Sequence, residues 1–382
     1  MWPCEMHFLL VDVSRHIIMT DLDPVRAKLI AETVKKDLPG IENVESVVAG
    51  CEKEAQNFMA LVYRVLVRFN TSNESQWLFV KVRPKAEDQL TEWASFDIAF
   101  KNECQAYQNL KELDFPMAKC YLATPDMIIL EDLVSKGFKM MDKLKGLDLV
   151  QTKLVLEKLA KFHQSSILLR KEKASSFVTL SSKFQDLYMN FNIFPDNSDY
   201  LDKIVGFLED EDEDVKTIIK EYANGVVYSL VKQFIKLNKG NKDHVLLGIN
   251  HGDCWINNMM LREEQTSETD SGGTTTVEMK FVDLQSIDVN SVLVDLVTFL
   301  VTSVEFQVLI EHYPNLIEHY WTHLNISQIL LKEQFHKELQ EYKQYYLPIF
   351  LFRGLPMRSV SQEELKRDIR LFVQFLRKHD FL

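Results

Sequence analysis

Strand-like runs of apolar residues fill the first third of the chain, and apolar residues at helical spacing fill most of the remainder. Residues 44–49 and 58–69 read as a hairpin whose turn includes Gly50, and 77–82 as a strand with Lys81 near its end. A helical stretch covers 93–113. The run Met127-Ile128-Ile129-Leu130-Glu131-Asp132-Leu133 is then an apolar strand ending in acids, which reads as the last strand of a small lobe and the hinge to a larger one. Beyond it, 147–169 has helical spacing with His163 near its end, and 216–237 reads as another helix. Further helices are expected around 292–303, 334–345 and 361–378. A second strand-rich stretch interrupts them. It comprises a short apolar strand over 245–249, a second run at 259–261, a loop over 263–276 rich in Glu, Ser, Thr and Gly, and a return strand over 277–282.

Between these strands the chain reads Asn250-His251-Gly252-Asp253-Cys254-Trp255-Ile256-Asn257-Asn258, and the return strand runs into Phe281-Val282-Asp283-Leu284-Gln285. The hairpin brings Asp253, Asn258 and Asp283 to one end. Phosphoryl transfer needs that set: one carboxylate to orient the attacking hydroxyl and accept its proton, and an amide oxygen and a second carboxylate to hold magnesium. The acids are too few and too spaced for a calcium loop, and His251 and Cys254 lack the second His/Cys pair of a zinc site. A lone His-Gly-Asp would read as polar capping of a strand; the full triple in its strand context favours the chemical reading.

An ATP site needs further parts upstream. Lys81 can reach the α- and β-phosphates, and Glu103, within the following helix, can pair with it. Taken singly they read as a solvated strand-end lysine and a solvated helix charge; their order ahead of the triple favours the pair, with Lys85, Glu92 and Lys101 as competitors. Adenine would use backbone groups near Glu131 and Leu133. The phosphate loop is poor in glycine: Gly50-Cys51-Glu52-Lys53-Glu54-Ala55-Gln56-Asn57 holds one glycine and two acids. Close backbone approach to phosphates favours glycine, so this loop must grip ATP less closely, or through polar side chains such as Asn57.

These residues resemble the ecdysteroid-kinase-like family of insects, related to choline kinases and aminoglycoside phosphotransferases. The resemblance runs from about Leu29 through Gln56-Asn57-Phe58, Tyr63-Arg64-Val65, Lys81, Asn102-Glu103 with Tyr107, Ile129-Leu130-Glu131-Asp132-Leu133 and Leu159-Ala160-Lys161-Phe162-His163. It continues through the His251–Asn258 run to Val282-Asp283-Leu284-Gln285 and Asp295-Leu296. It implies an α+β, two-lobed protein-kinase-like fold: a small antiparallel-sheet N-lobe with one long helix, and a larger, mainly helical C-lobe. The corresponding division is an N-terminal arm over 1–28, an N-lobe over 29–132 and a C-lobe over 133–382. The resemblance also implies ATP- and Mg2+-dependent phosphorylation of a small-molecule hydroxyl, with ecdysteroids the named substrate and other bulky steroid or xenobiotic alcohols as extensions. Asp253 would be the catalytic base, Asn258 and Asp283 the metal ligands, and Lys81 and Glu103 the ion pair. A kinase for choline, ethanolamine or a sugar-like alcohol, and a non-catalytic binding protein that keeps the fold, are the alternatives.

Composition narrows the partners. The 382 residues suit two lobes sharing a cleft, and 46% hydrophobic with 26% charged residues is a globular composition. A net charge of −12 argues against a nucleic-acid partner; part of it sits in the run 209–214, read as a solvated loop. No apolar run is long enough to span a bilayer, and the start of the chain does not read as a signal peptide. Cys4, Cys51, Cys104, Cys120 and Cys254 have no metal spacing and read as reduced cytosolic thiols, so a cytoplasmic location is expected. Cys254 reads as a space-filling residue beside Asp253, and His163 as a core histidine beneath the catalytic loop. The aromatics Phe177, Phe184, Tyr188, Phe191, Phe194 and Tyr200 read as mostly core. Asp283 is followed closely by the helix-like run 291–297, with no Asp-Phe-Gly and no Ala-Pro-Glu. A protein kinase's peptide-seating segment does not fit there, which favours a small acceptor.

Overall fold

The computed structural model describes residues 28, 30, 32–33, 47–50, 60–68, 75–83, 95–187, 198–208, 213–223, 226–237, 244–265, 275–358 and 361–381. The loop 51–59 with Asn57, the competitors Lys85 and Glu92, the acids 209–212, and Tyr188, Phe191 and Phe194 lie outside them.

Five strands form an antiparallel sheet in the order β1-β2-β3-β5-β4: β1 (Val47–Gly50), β2 (Leu61–Arg68), β3 (Ser75–Val82), β4 (Cys120–Ala123) and β5 (Met127–Glu131). The expected first pair of strands is present, but Gly50, expected in the turn, is the last residue of β1, opposite Tyr63. Side chains alternate between the faces. Tyr63, Val65, Leu78, Val80, Val82, Met127 and Ile129 form a cluster with Ile30 on one face. Phe79, Ile128 and Leu130 turn to the other, which helix α1 (Ser95–Asn109) covers with Phe100, Cys104 and Tyr107. Lys81 shares the face of Phe79 and so meets α1. With both faces covered, β5 has no polar alternation, and all five of its residues are buried.

The remainder is mainly helical. A three-stranded sheet in the order β6-β8-β9 joins β6 (Lys139–Met140), β8 (Met259–Gln265) and β9 (Thr275–Phe281), and β7 (Leu247–Asn250) pairs with β10 (Asp288–Ser291). Helix α2 (Leu149–Glu172) starts at a capping box, Asp148 accepting from the Gln151 amide at 2.9 Å and Gln151 returning the bond at 3.2 Å. Its buried face supports β7, where Ser166 Oγ accepts the Ile249 amide at 3.1 Å. There follow α3 (Ala174–Ser181), α4 (Ser198–Phe207), α5 (Glu213–Ala223), α6 (Val226–Lys236), α7 (Leu293–Ser303), α8 (Phe306–Leu324), α9 (Lys332–Glu341), α10 (Lys343–Ile349), α11 (Leu355–Arg358) and α12 (Gln362–Lys378). Every residue of α7 is buried, making it the central helix of this lobe.

Four local expectations need correction. The 216–237 helix is two helices, α5 ending at Ala223 and α6 beginning at Val226. The 334–345 helix is likewise divided into α9 and α10. The strands of the second hairpin run further into the polar loop than their composition indicates, pairing out to Gln265 and Thr275. The sequence reading places no helix where α8 stands, and α8 carries Pro314 in its interior. Proline has no N–H to give the carbonyl four residues back, and here His379 Nε2 donates to that carbonyl, on Ile310, at 3.1 Å. Phe177 and Phe184 pack into the core as expected.

Candidate active site

The turn after β7 carries Asp253, and a buried aspartate shapes it. Asp295, in the first turn of α7 and 1% exposed, accepts the His251 amide at 2.6 Å and the Gly252 amide at 3.0 Å, one on each carboxylate oxygen. His163 Nε2 lies 3.3 Å from the same carboxylate, and its Nδ1 is 2.7 Å from the Tyr320 hydroxyl. Burial pushes the His163 imidazole below its ordinary pKa, against the pull of Asp295. The neutral ring then donates from Nε2 to Asp295 and accepts from Tyr320 at Nδ1. The expected core histidine is buried, and through Asp295 it reaches the His251–Gly252 turn.

His251 locks the turn to the next segment. Its Nδ1 accepts the Asp253 amide at 3.3 Å, so Nε2 carries the proton and donates to the Val282 carbonyl at 3.0 Å. Gly252 has φ +78°, and a Cβ there would sit 1.9 Å from the Ser286 carbonyl oxygen. No side chain fits. Gly252→Ala is expected to cost roughly 1–3 kcal/mol in left-handed strain and about 1–3 kcal/mol more in overpacking. Urea denaturation checks this; an unchanged midpoint would contradict the packing described.

Asn258 closes the turn. Its Nδ2 donates to the Asp253 backbone carbonyl and to Asp253 Oδ2, both at 2.9 Å, which turns the amide oxygen away from Asp253. Its own carbonyl accepts the Val282 amide at 3.0 Å, which ties this turn to the residue before Asp283. Asp283 takes left-handed dihedrals, φ 61° and ψ 64°, an uncommon conformation that Asp tolerates better than most residues.

Lys81 is the hub. Its ammonium lies 2.7 and 2.9 Å from the two Glu103 oxygens and 2.9 Å from Asp283 Oδ1, with the lysine side chain 4% exposed. Burial alone would lower its pKa, but the Asp283 and Glu103 carboxylates more than reverse this and hold it well above its ordinary value. Asn102, one residue before Glu103, fastens α1 to this end of the molecule: it donates to the Gln185 carbonyl at 2.7 Å and the Gln285 carbonyl at 3.2 Å, and accepts the Gln185 amide at 2.8 Å. Lys101, a competitor by sequence, is exposed.

At the hinge, Glu131 accepts the Lys119 amide at 2.8 Å and pairs with Lys136. Burial would raise its carboxyl, but those two partners bring it below its ordinary pKa. The Leu133 carbonyl accepts amides of Lys136 and Phe138 at 3.0 and 3.1 Å. The Glu131 side chain and the Leu133 carbonyl are therefore engaged within the protein. Arg64 of β2 clamps the adjoining Asp132 at 3.2 and 2.5 Å.

Sequence reasoning missed Arg353, whose Nη2 pairs with Asp253 Oδ1 across 100 residues. It lies in no motif, and no spacing ties it to Asp253. Cys254 is fully buried, and burial holds its thiol well above the usual range, as suits a space-filling residue. No helix among the described residues is long and apolar enough to cross a membrane.

Three solved structures align with the chain over most of its length. The ternary complex of APH(2")-IIa with streptomycin and ATP is 14% identical, covering 93% of this chain and 97% of that one, with a TM-score of 0.40. ADP-bound aminoglycoside phosphotransferase APH(2'')-Ib is 13% identical over 93% and 98%, with a TM-score of 0.34. Macrolide 2'-phosphotransferase MphH from Brachybacterium faecium is 8% identical over 91% and 98%, with a TM-score of 0.38. At such scores the likeness is distant. No curated protein matches the chain. The profile of the ecdysteroid kinase-like family matches residues 54–333, and the chain belongs to that family.

Proposed function

We propose that the protein is an ATP-dependent phosphotransferase that moves the γ-phosphoryl group to a hydroxyl of a small molecule, with a bulky ecdysteroid or xenobiotic alcohol as acceptor. One observation carries the reading. A sheet lysine, a helix glutamate and an aspartate 202 residues from that lysine form one contact, beside a second aspartate held by an asparagine. That is the constellation phosphoryl transfer requires. The small acceptor is supported by the short path from Asp283 through the turn Leu284–Ser286 and β10 to α7, which leaves no peptide-seating segment. The ecdysteroid class rests on family membership.

In this reading Lys81, held cationic, positions the α- and β-phosphates, and adenine lies against the hinge backbone near Glu131 and Leu133. Asp253 aligns the acceptor hydroxyl. As the acceptor oxygen bonds to the γ-phosphorus, the bond from that phosphorus to the β-phosphate bridging oxygen breaks. ADP leaves with the electron pair, and the hydroxyl proton passes to Asp253. The rate gain comes from orientation and electrostatics.

Magnesium, bound with the nucleotide, would neutralise the triphosphate. Asn258 and Asp283 fit it: the Asn258 amide nitrogen is committed to Asp253, which leaves the oxygen as a donor. Among the described residues there is no group of three or more His, Cys, Asp or Glu to hold a metal. Magnesium usually keeps several waters and substrate phosphate oxygens in its shell, so one amide oxygen and one carboxylate from the protein would serve it.

Thermal melting with ATP, with and without magnesium, tests the reading. A magnesium-dependent rise in Tm is expected. Asp283→Ala is expected to lose that dependence and to weaken nucleotide binding by about tenfold or more, ~1.4 kcal/mol. Unchanged magnesium-dependent binding in the variant would refute the metal role.

A further inference from the structure

We propose that Arg353 is a positioning residue for the base: it holds the Asp253 carboxylate opposite Asn258 and offsets its charge against the incoming triphosphate. This rests on the phosphotransferase reading above. Asp253 Oδ1 pairs with Arg353 and Oδ2 accepts from Asn258 Nδ2 at 2.9 Å. The two contacts fix the rotation of the carboxylate, and each of its oxygens keeps lone-pair capacity for an acceptor hydroxyl.

The electrostatic need is local. Lys81 is committed to Glu103 and Asp283. Asp253, which must approach the γ-phosphoryl group, has its own cation in Arg353. Their side chains are 17% and 12% exposed, so the pair is largely withdrawn from water and screened less than a surface pair. Without that cation, a carboxylate and a polyanion would face each other across a partly desolvated cleft.

The backbone points the same way. Arg353 sits on a π-helical turn, Phe350–Gly354, between α10 and α11. Such wide turns are rare and often occur at functional sites. This one is anchored on its inner side: Phe350 and Leu351 are fully buried, and the Phe350 ring stacks on Phe372 at 3.9 Å. Gly354 allows the close approach, since a Cβ there would lie 3.0 Å from the Phe350 ring and 3.2 Å from the Val301 carbonyl. A well-packed turn thus presents one cation to the base.

The test is steady-state transfer from γ-labelled ATP with magnesium, using ecdysone, choline and ethanolamine as probe acceptors. Wild type, Arg353→Ala, Arg353→Lys and Asp253→Asn are compared. Arg353→Ala is expected to lose about 10²-fold in kcat, the scale of a misplaced catalytic group, with the KM for magnesium-ATP largely kept. Arg353→Lys should recover part of the loss, since it keeps the charge but not the planar fork. Millimolar guanidinium should raise the rate of Arg353→Ala and not that of Asp253→Asn. Wild-type kcat in Arg353→Ala would overturn this proposal alone. So would an equal loss in both Arg353 variants with a raised KM for ATP and no rescue, which would mark a merely structural role. A wild-type protein that labels none of the three acceptors would bring down the phosphotransferase reading and this proposal with it.

Discussion

Asp253→Asn is expected to lower phosphoryl transfer by about 10²–10⁴-fold, the range for loss of a positioned general base, while magnesium-ATP still binds. The division follows from the geometry. Asp253 contacts Asn258 and Arg353, whereas the ammonium assigned to the phosphates is held by Glu103 and Asp283. The Asp253 backbone carbonyl still accepts from Asn258 Nδ2 in the variant, so the turn keeps that tie. Its two amide bonds to Asp295 do not involve the altered side chain. Nucleotide titration beside single-turnover transfer separates the two effects. Undiminished transfer would remove Asp253 from the role of base, and loss of ATP binding would mean that the turn had collapsed.

Lys81→Met is expected to damage the protein itself. Lys81 and Glu103 are 4% and 3% exposed at their side chains, and Asp283 is 20% exposed. Removing the cation leaves two carboxylates facing each other with little access to water. Breaking a buried pair from one side costs about 3–5 kcal/mol. The Lys81 pKa, held up against burial by Asp283 and Glu103, has the same cause. Adding Glu103→Gln to Lys81→Met should recover part of the loss, because one uncompensated charge is gone. Urea denaturation of the single and double variants measures this. A loss below about 1 kcal/mol, the worth of a surface pair, would contradict the buried network.

Several of these features were legible because they are written locally. The strand at 77–82 with Lys81 near its end and the apolar strand at 127–131 were readable as strands, while the faces that α1 and the Ile30 cluster cover show only in the fold. Asn258 bonds Asp253 and, through its carbonyl, the Val282 amide next to Asp283, and the strand pair β8–β9 that sets this spacing was readable from short-range patterns. What the sequence concealed depends on contacts between distant segments. Arg353 reaches Asp253 only once α7, α10 and the π-helical turn have packed. α8 was not read from the sequence, and the His379 contact that satisfies the carbonyl left without a donor by Pro314 comes from a distant part of the chain. Asp295 appeared among the residues carrying the family resemblance, but its role as acceptor for the His251 and Gly252 amides emerges only in three dimensions. The extended ends of β8 and β9 are polar, and polar composition alone does not separate an exposed strand pair from a loop.

The measurement that bears most directly on the central claim is the fate of the γ-phosphoryl group. The wild-type protein is incubated with magnesium and γ-labelled ATP in the presence of ecdysone, choline or ethanolamine, beside Asp253→Asn. The account predicts label in a phosphate monoester of an added alcohol, ecdysone first among them, and almost none with the variant. Magnesium-dependent binding of ATP with no label in any alcohol would contradict it and leave a binding protein that keeps the fold.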